Sequence, residues 1–154
     1  MKTKETKIDM PVIRVFVGTS KSKMTPGKAV FVLTMEDSHG HFFKLKPETV
    51  MSGDSYITHH FILLMALSKT IKVLSDGIKE PFRIIFHSDD ERIAFEWNTE
   101  YKEDGHFSDQ TDDREMWQRI ANSVMGKNIE LVISGPNSVL NGISKIENRR
   151  ARVI

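Results

Sequence analysis

Apolar and polar positions alternate between two periods along the chain. Residues 12–17 are a β-branched and aromatic run, interrupted only by Arg14, that stops at Gly18 and a polar stretch containing Pro26-Gly27, which predicts a buried strand and a loop. Two further apolar runs, 28–35 and 41–45, flank Glu36-Asp37-Ser38-His39-Gly40, whose Asp and Gly suit a hairpin turn. The three runs predict an antiparallel meander. From 57 to 74 the spacing changes: Phe61, Leu64, Met65, Leu67, Ile71 and Leu74 recur every three or four positions behind Thr58, a good N-cap. Pro81 ends that helix, 82–86 reads as a strand, and Asp89-Asp90 stands where acids favour the start of a short helix over 89–97.

After a loop-like acidic stretch, Met116, Trp117, Ile120 and Val124 share one face of a helix over 113–125, with Gly126 as its stop. A strand over 129–133, a Gly135-Pro136-Asn137 loop and a terminal helix with a basic face close the chain; Asn141-Gly142 marks the turn into that helix. The order predicts an α/β domain with a five-stranded mixed sheet flanked by helices, the fourth and fifth strands arriving by helical crossovers. Residues 1–10 read as a flexible tail and 11–154 as one domain.

Composition narrows the class. With 154 residues, 39% hydrophobic and 28% charged, the chain falls in the globular range and far from sequences that stay unfolded. The formal charge of +1 offers no bulk attraction for nucleic acid, so any electrostatic function rests on local patches. Residues 99–115 hold seven acids against two bases, a local net of about −5. Lys21, Lys23 and Lys28 form one basic patch, and Lys145, Arg149, Arg150 and Arg152 against Glu147 form another. The absence of cysteine removes disulfides, thiolate chemistry and Cys-based zinc sites. No apolar run approaches the roughly 18 residues of a membrane span, so a cytoplasmic protein without a membrane partner is expected.

Three strings then carry a resemblance. Met116-Trp117-Gln118-Arg119-Ile120 ahead of a strand, Thr25-Pro26-Gly27 after the first strand, and Ile84-Ile85-Phe86-His87-Ser88-Asp89 together resemble type 1 ribonuclease H sequences, and the element order resembles the ribonuclease H fold. The resemblance implies a site in which four acids hold two Mg²⁺ ions about 4 Å apart on the scissile phosphate. Its first acid corresponds to Val17, within Val17-Gly18-Thr19-Ser20, and its second falls near Leu63, in a stretch from 55 to 75 with no Asp or Glu. The third is Asp89, beside Asp90 and Glu91; the fourth aligns loosely with Glu147.

With two of four acids gone, the resemblance implies a degenerate site, no resident metal, and a domain that binds nucleic acid or protein. Asp89 and Asp90 are the metal candidates if there is one, with Mg²⁺ or Mn²⁺ as the ion in an active enzyme; His59 or His60 joining Asp89 and Glu147 would suit Mn²⁺ or Zn²⁺. One alternative is a metal-dependent ribonuclease on RNA–DNA hybrid that uses Asp89 and Glu147 with displaced ligands. In the family the interval before the Trp-Gln-Arg string is often a basic, Trp-rich grip on the substrate; here 100–113 is acidic, which opposes a phosphate backbone. Hybrid or structured RNA would then meet Lys21, Lys23, Lys28, Lys145, Arg149, Arg150 and Arg152. A second alternative is an acidic module that offers 100–115 to a basic protein. Trp97 and Trp117 read as core aromatics, and His39-Gly40-His41 as a turn.

Overall fold

β1 (Val12–Lys21) and β2 (Lys28–Glu36) pair antiparallel from Arg14 opposite Glu36 to Lys21 opposite Ala29. In this computed structural model, whose described residues are 10–53, 56–88 and 90–134, β1 continues beyond the end expected at 17. Thr19 and Ser20 lie opposite Phe31 and Val30, so the ladder to β2 carries polar residues that show no strand pattern of their own. β3 (Phe42–Lys44) and β4 (Glu48–Met51) both pair antiparallel with β2, at its two ends. The sheet therefore has six strands where the sequence pattern predicted five. β4 escapes the pattern because it is four residues long and buries only Val50, while Pro47, lacking an N–H, separates it from β3.

α1 (His59–Gly77) starts at the expected cap, with Phe61 N–H donating to Thr58 Oγ1 at 3.1 Å. It crosses over to β5 (Phe82–His87), which pairs parallel with β1; β6 (Ile129–Ser134) pairs parallel with β5. The order is β3-β2-β1-β5-β6, with β4 beside β2. Between β5 and β6 the chain is more helical than predicted. α2 (Glu91–Phe95) runs directly into a π-helical turn (Glu96–Tyr101) and α3 (Lys102–Asp104), which ends at Gly105 with φ 83°. α4 (Arg114–Met125) follows. The expected terminal helix and N-terminal tail fall outside the described residues.

One face of the sheet carries the core. Ile13, Val15 and Val17 of β1, Phe31, Leu33 and Met35 of β2, Ile84 and Phe86 of β5, and Leu131 and Ile133 of β6 join Leu63, Leu67 and Ile71 of α1 and Ile120 and Val124 of α4. Strand period two and helix period three to four thus meet on one surface. Beside it, Trp97, Tyr101, Phe107 and Trp117 stack with neighbouring ring centroids 4.9 to 5.9 Å apart. The π-helical turn also covers the edge of β6: Trp97 Nε1 donates to the Leu131 carbonyl at 2.8 Å and Asn98 Nδ2 to the Ile133 carbonyl at 2.7 Å. Capped carbonyls cannot template another strand. No described helix is long and apolar enough to cross a membrane.

Candidate functional site

Parallel pairing brings the C-terminal halves of β1 and β5 together, with Phe16 opposite His87 as the last pair. Val17-Gly18 continue β1, and Ser88 follows the end of β5. α1 ends at Gly77 and β5 begins at Phe82, so the C-terminus of α1 lies toward the start of β5 and His59 at the helix's opposite end.

Val17 is 6% exposed and Leu63 is 0% exposed, and both belong to the hydrophobic core. Ser88 Oγ accepts from the Asp90 N–H at 2.9 Å and donates to the Asp90 carbonyl at 3.1 Å. Asp90 is the N-cap of α2, its Oδ1 accepting from Arg92 N–H at 2.8 Å. Its carboxylate is thus committed to a helix start, as first-turn chemistry favours. Asp89, Glu147, Lys145, Arg149, Arg150 and Arg152 lie outside the described residues. Among the described residues no three His, Asp or Glu side chains are grouped to hold a metal.

His87 sits on the sheet face opposite the core. Its ring stacks on Phe16 at 4.8 Å, and Arg14 Nε donates to its Nε2 at 3.2 Å. Burial, reinforced by the charge of Arg14, pushes its pKa down to about 4. The imidazole is neutral, and with Nε2 accepting, its proton is on Nδ1, which is buried without a hydrogen-bond partner.

His60, offered by the sequence as a possible metal ligand, lies inside the fold. It is 2% exposed. Its Nδ1 lies 2.7 Å from Asp113 Oδ2 and its Nε2 2.7 Å from Glu96 Oε1, so neither nitrogen is available to a metal. Burial opposes the charged ring, but the bonds to Glu96 and Asp113 outweigh it and raise the pKa. No sequence signal pointed to Glu96 or Asp113 as partners. His39 and His41 belong to the hairpin turn at Gly40, where Asp37 Oδ1 accepts from both backbone N–H groups at 2.9 Å.

Charge is distributed differently from its appearance in the sequence. Four of the seven acids in 99–115 have partners within the chain: Glu100 is held by Thr111 at 2.9 Å and Asp113 by His60, both partly buried, while Asp109 with Arg114 at 3.8 Å and Asp112 with Arg92 at 3.1 Å form exposed surface pairs. Lys21 is exposed at the end of β1 and Lys23 in the loop after it, and Lys28 is half-buried at the start of β2. A cleft of about 710 Å³ opens at the other end of the sheet among Arg14, Glu36, Asp37, His39 and Arg83. Its arginines are paired, Arg14 with Glu36 at 3.9 Å and Arg83 with Glu130 at 2.9 Å.

No known protein family matches the sequence, and no curated protein does. Solved structures do match. LC11 ribonuclease H1, crystallised with an RNA/DNA hybrid, superposes with a TM-score of 0.63 at 17% identity over 92% of this chain and 95% of that one. The ribonuclease H1 of the halophilic archaeon Halobacterium salinarum gives 0.63 at 14% identity, over 91% and 96%. The ribonuclease H domain of prototype foamy virus gives 0.54 at 15% identity, over 92% and 93%. Strand order, helical crossovers and these superpositions agree: the chain has the ribonuclease H fold.

Proposed function

We propose that this domain binds nucleic acid, an RNA–DNA hybrid or a structured RNA, without cleaving it by the two-metal route. The observation that carries the reading is the burial of Val17 and Leu63 in the core, where two metal-binding carboxylates would have to stand. Two lost carboxylates leave two dications without about half of their compensating charge. Binding needs only cations against phosphate, and Lys21 and Lys23 are exposed for it. The hybrid held by LC11 ribonuclease H1 indicates the ligand class to try first. The alternative of a basic protein partner for 100–115 loses only Glu100 and Asp113 to partly buried contacts and keeps Glu103, Asp104, Asp109, Asp112 and Glu115 exposed, so salt-sensitive binding to a basic protein is its separate test.

The test is fluorescence anisotropy with a labelled RNA–DNA hybrid and a labelled hairpin RNA in EDTA, followed by incubation of both with Mg²⁺ or Mn²⁺. Expected are binding that survives EDTA, weakening in Lys21→Glu/Lys23→Glu, and intact ligand after incubation. Cleavage that needs metal and disappears in Asp89→Ala would replace this reading with an active nuclease using displaced ligands. Failure to bind either ligand would remove the nucleic-acid reading.

A further inference from the structure

Two carboxylates face the two ring nitrogens of one buried imidazole. Each contact, His60 Nδ1 to Asp113 Oδ2 and His60 Nε2 to Glu96 Oε1, is 2.7 Å long. At that separation a proton must lie between nitrogen and oxygen, because a ring lone pair facing an anionic oxygen is repulsive. A neutral imidazole has one N–H and satisfies one contact. Two contacts to carboxylate oxygens are both satisfied by the imidazolium, and Glu96 Oε1 accepts a further hydrogen bond from Trp117 Nε1 at 2.8 Å. The raised pKa of His60 agrees with this proton count.

Each of the three residues comes from a different element: His60 from the first turn of α1, Glu96 from the first position of the π-helical turn, and Asp113 from the N-cap of α4. Asp113 departs from two local preferences at once. Its backbone is left-handed, with φ 54° and ψ 39°, and its carboxylate makes no capping bond to α4. An N-cap aspartate ordinarily accepts from the first turn of its own helix, and a left-handed aspartate is strained. Both departures place Oδ2 on His60.

We propose that His60, Glu96 and Asp113 form a proton-held clasp that draws α1, the π-helical turn and α4 together and loosens when the imidazolium loses its proton. The groups that face His60 are Glu96 and Trp117 on one side and Asp113 on the other. Nearby charges are paired elsewhere, Arg92 with Asp112 at 3.1 Å and Arg114 with Asp109 at 3.8 Å. A histidine whose pKa is raised by folding contributes stability that is complete below the unfolded value near 6.5 and is lost as pH rises through the folded value. The clasp is closed below the ordinary histidine value and opens as pH rises through the raised one, at the N-terminal end of α1.

The chain's two tryptophans, Trp97 and Trp117, both adjoin the clasp with rings 5.9 Å apart, so intrinsic emission reports on it directly. The experiment follows tryptophan emission from pH 6 to 10, together with the ring ¹⁵N shifts of His60. Expected are two protonated ring nitrogens at pH 7 and a one-proton emission change above pH 6.5 that is absent in His60→Gln and moved to lower pH in Asp113→Asn. His39→Gln, a turn residue away from the clasp, leaves the change in place. A single-tautomer neutral ring at pH 7, or an emission change unaltered in Asp113→Asn, overturns the proposal. Should His60→Gln fail to fold, the ¹⁵N shifts and Asp113→Asn decide alone.

Discussion

Val17 and Leu63 are read oppositely by the resemblance and by the packing. The resemblance asks for carboxylates; the sheet and α1 make both positions part of the apolar interior. Leu63→Glu would bury a carboxylate with no donor to satisfy it, and a loss of at least about 3 kcal/mol is expected in urea denaturation. Leu63→Met, which keeps volume and polarity, should cost less than about 1.5 kcal/mol. Tolerance of the glutamate to within about 1 kcal/mol would mean that position 63 opens onto a polar site. His87 gives a second prediction. Its folded pKa near 4 lies below the unfolded value, so between about 6.5 and about 4 the unfolded chain takes up a proton that the folded one does not. Stability therefore falls as pH drops through that window, and His87→Gln should flatten the fall. This window lies below the one assigned to His60, which lets the two histidines be separated by pH.

α1 and α4 were legible from helical spacing, and β1, β2, β5 and β6 from runs of apolar residues, because burial against the core marks the sequence at neighbouring positions. Thr58 and Gly126 were legible as helix ends because capping is local chemistry. β4 was not legible: four residues with one buried side chain leave no pattern. The π-helical turn was hidden for a different reason. Its backbone is selected by where Glu96, Trp97 and Asn98 must point, toward His60 and the carbonyls of β6. Asn98→Ala should cost about 1 kcal/mol for the lost hydrogen bond. It also bares the Ile133 carbonyl on the last strand of the sheet's parallel side, and concentration-dependent association in sedimentation velocity is the expected result. A variant that stays monomeric at every concentration would show that Trp97 alone shields that edge.

For the molecule as a whole, a formal charge of +1 hides an uneven surface. If Lys21 and Lys23 each neutralise a phosphate, replacing either with alanine should lower the slope of log affinity against log salt by about 1. Unchanged slopes would place the ligand elsewhere on the surface. The fold class and the strand-helix order were determined by the sequence alone, because alternation and helical spacing report burial over neighbouring residues. So was the lack of acids at Val17 and across 55–75, a fact of composition that no folding can alter. Tertiary structure decided the rest. It made Asp90 a helix cap, drew Asp113 out of the acidic stretch, and set the buried ring of His60 between Asp113 and Glu96. Its partners lie 36 and 53 positions away in the chain. A local pattern records which face of an element is buried, but not which distant side chain is brought to meet it.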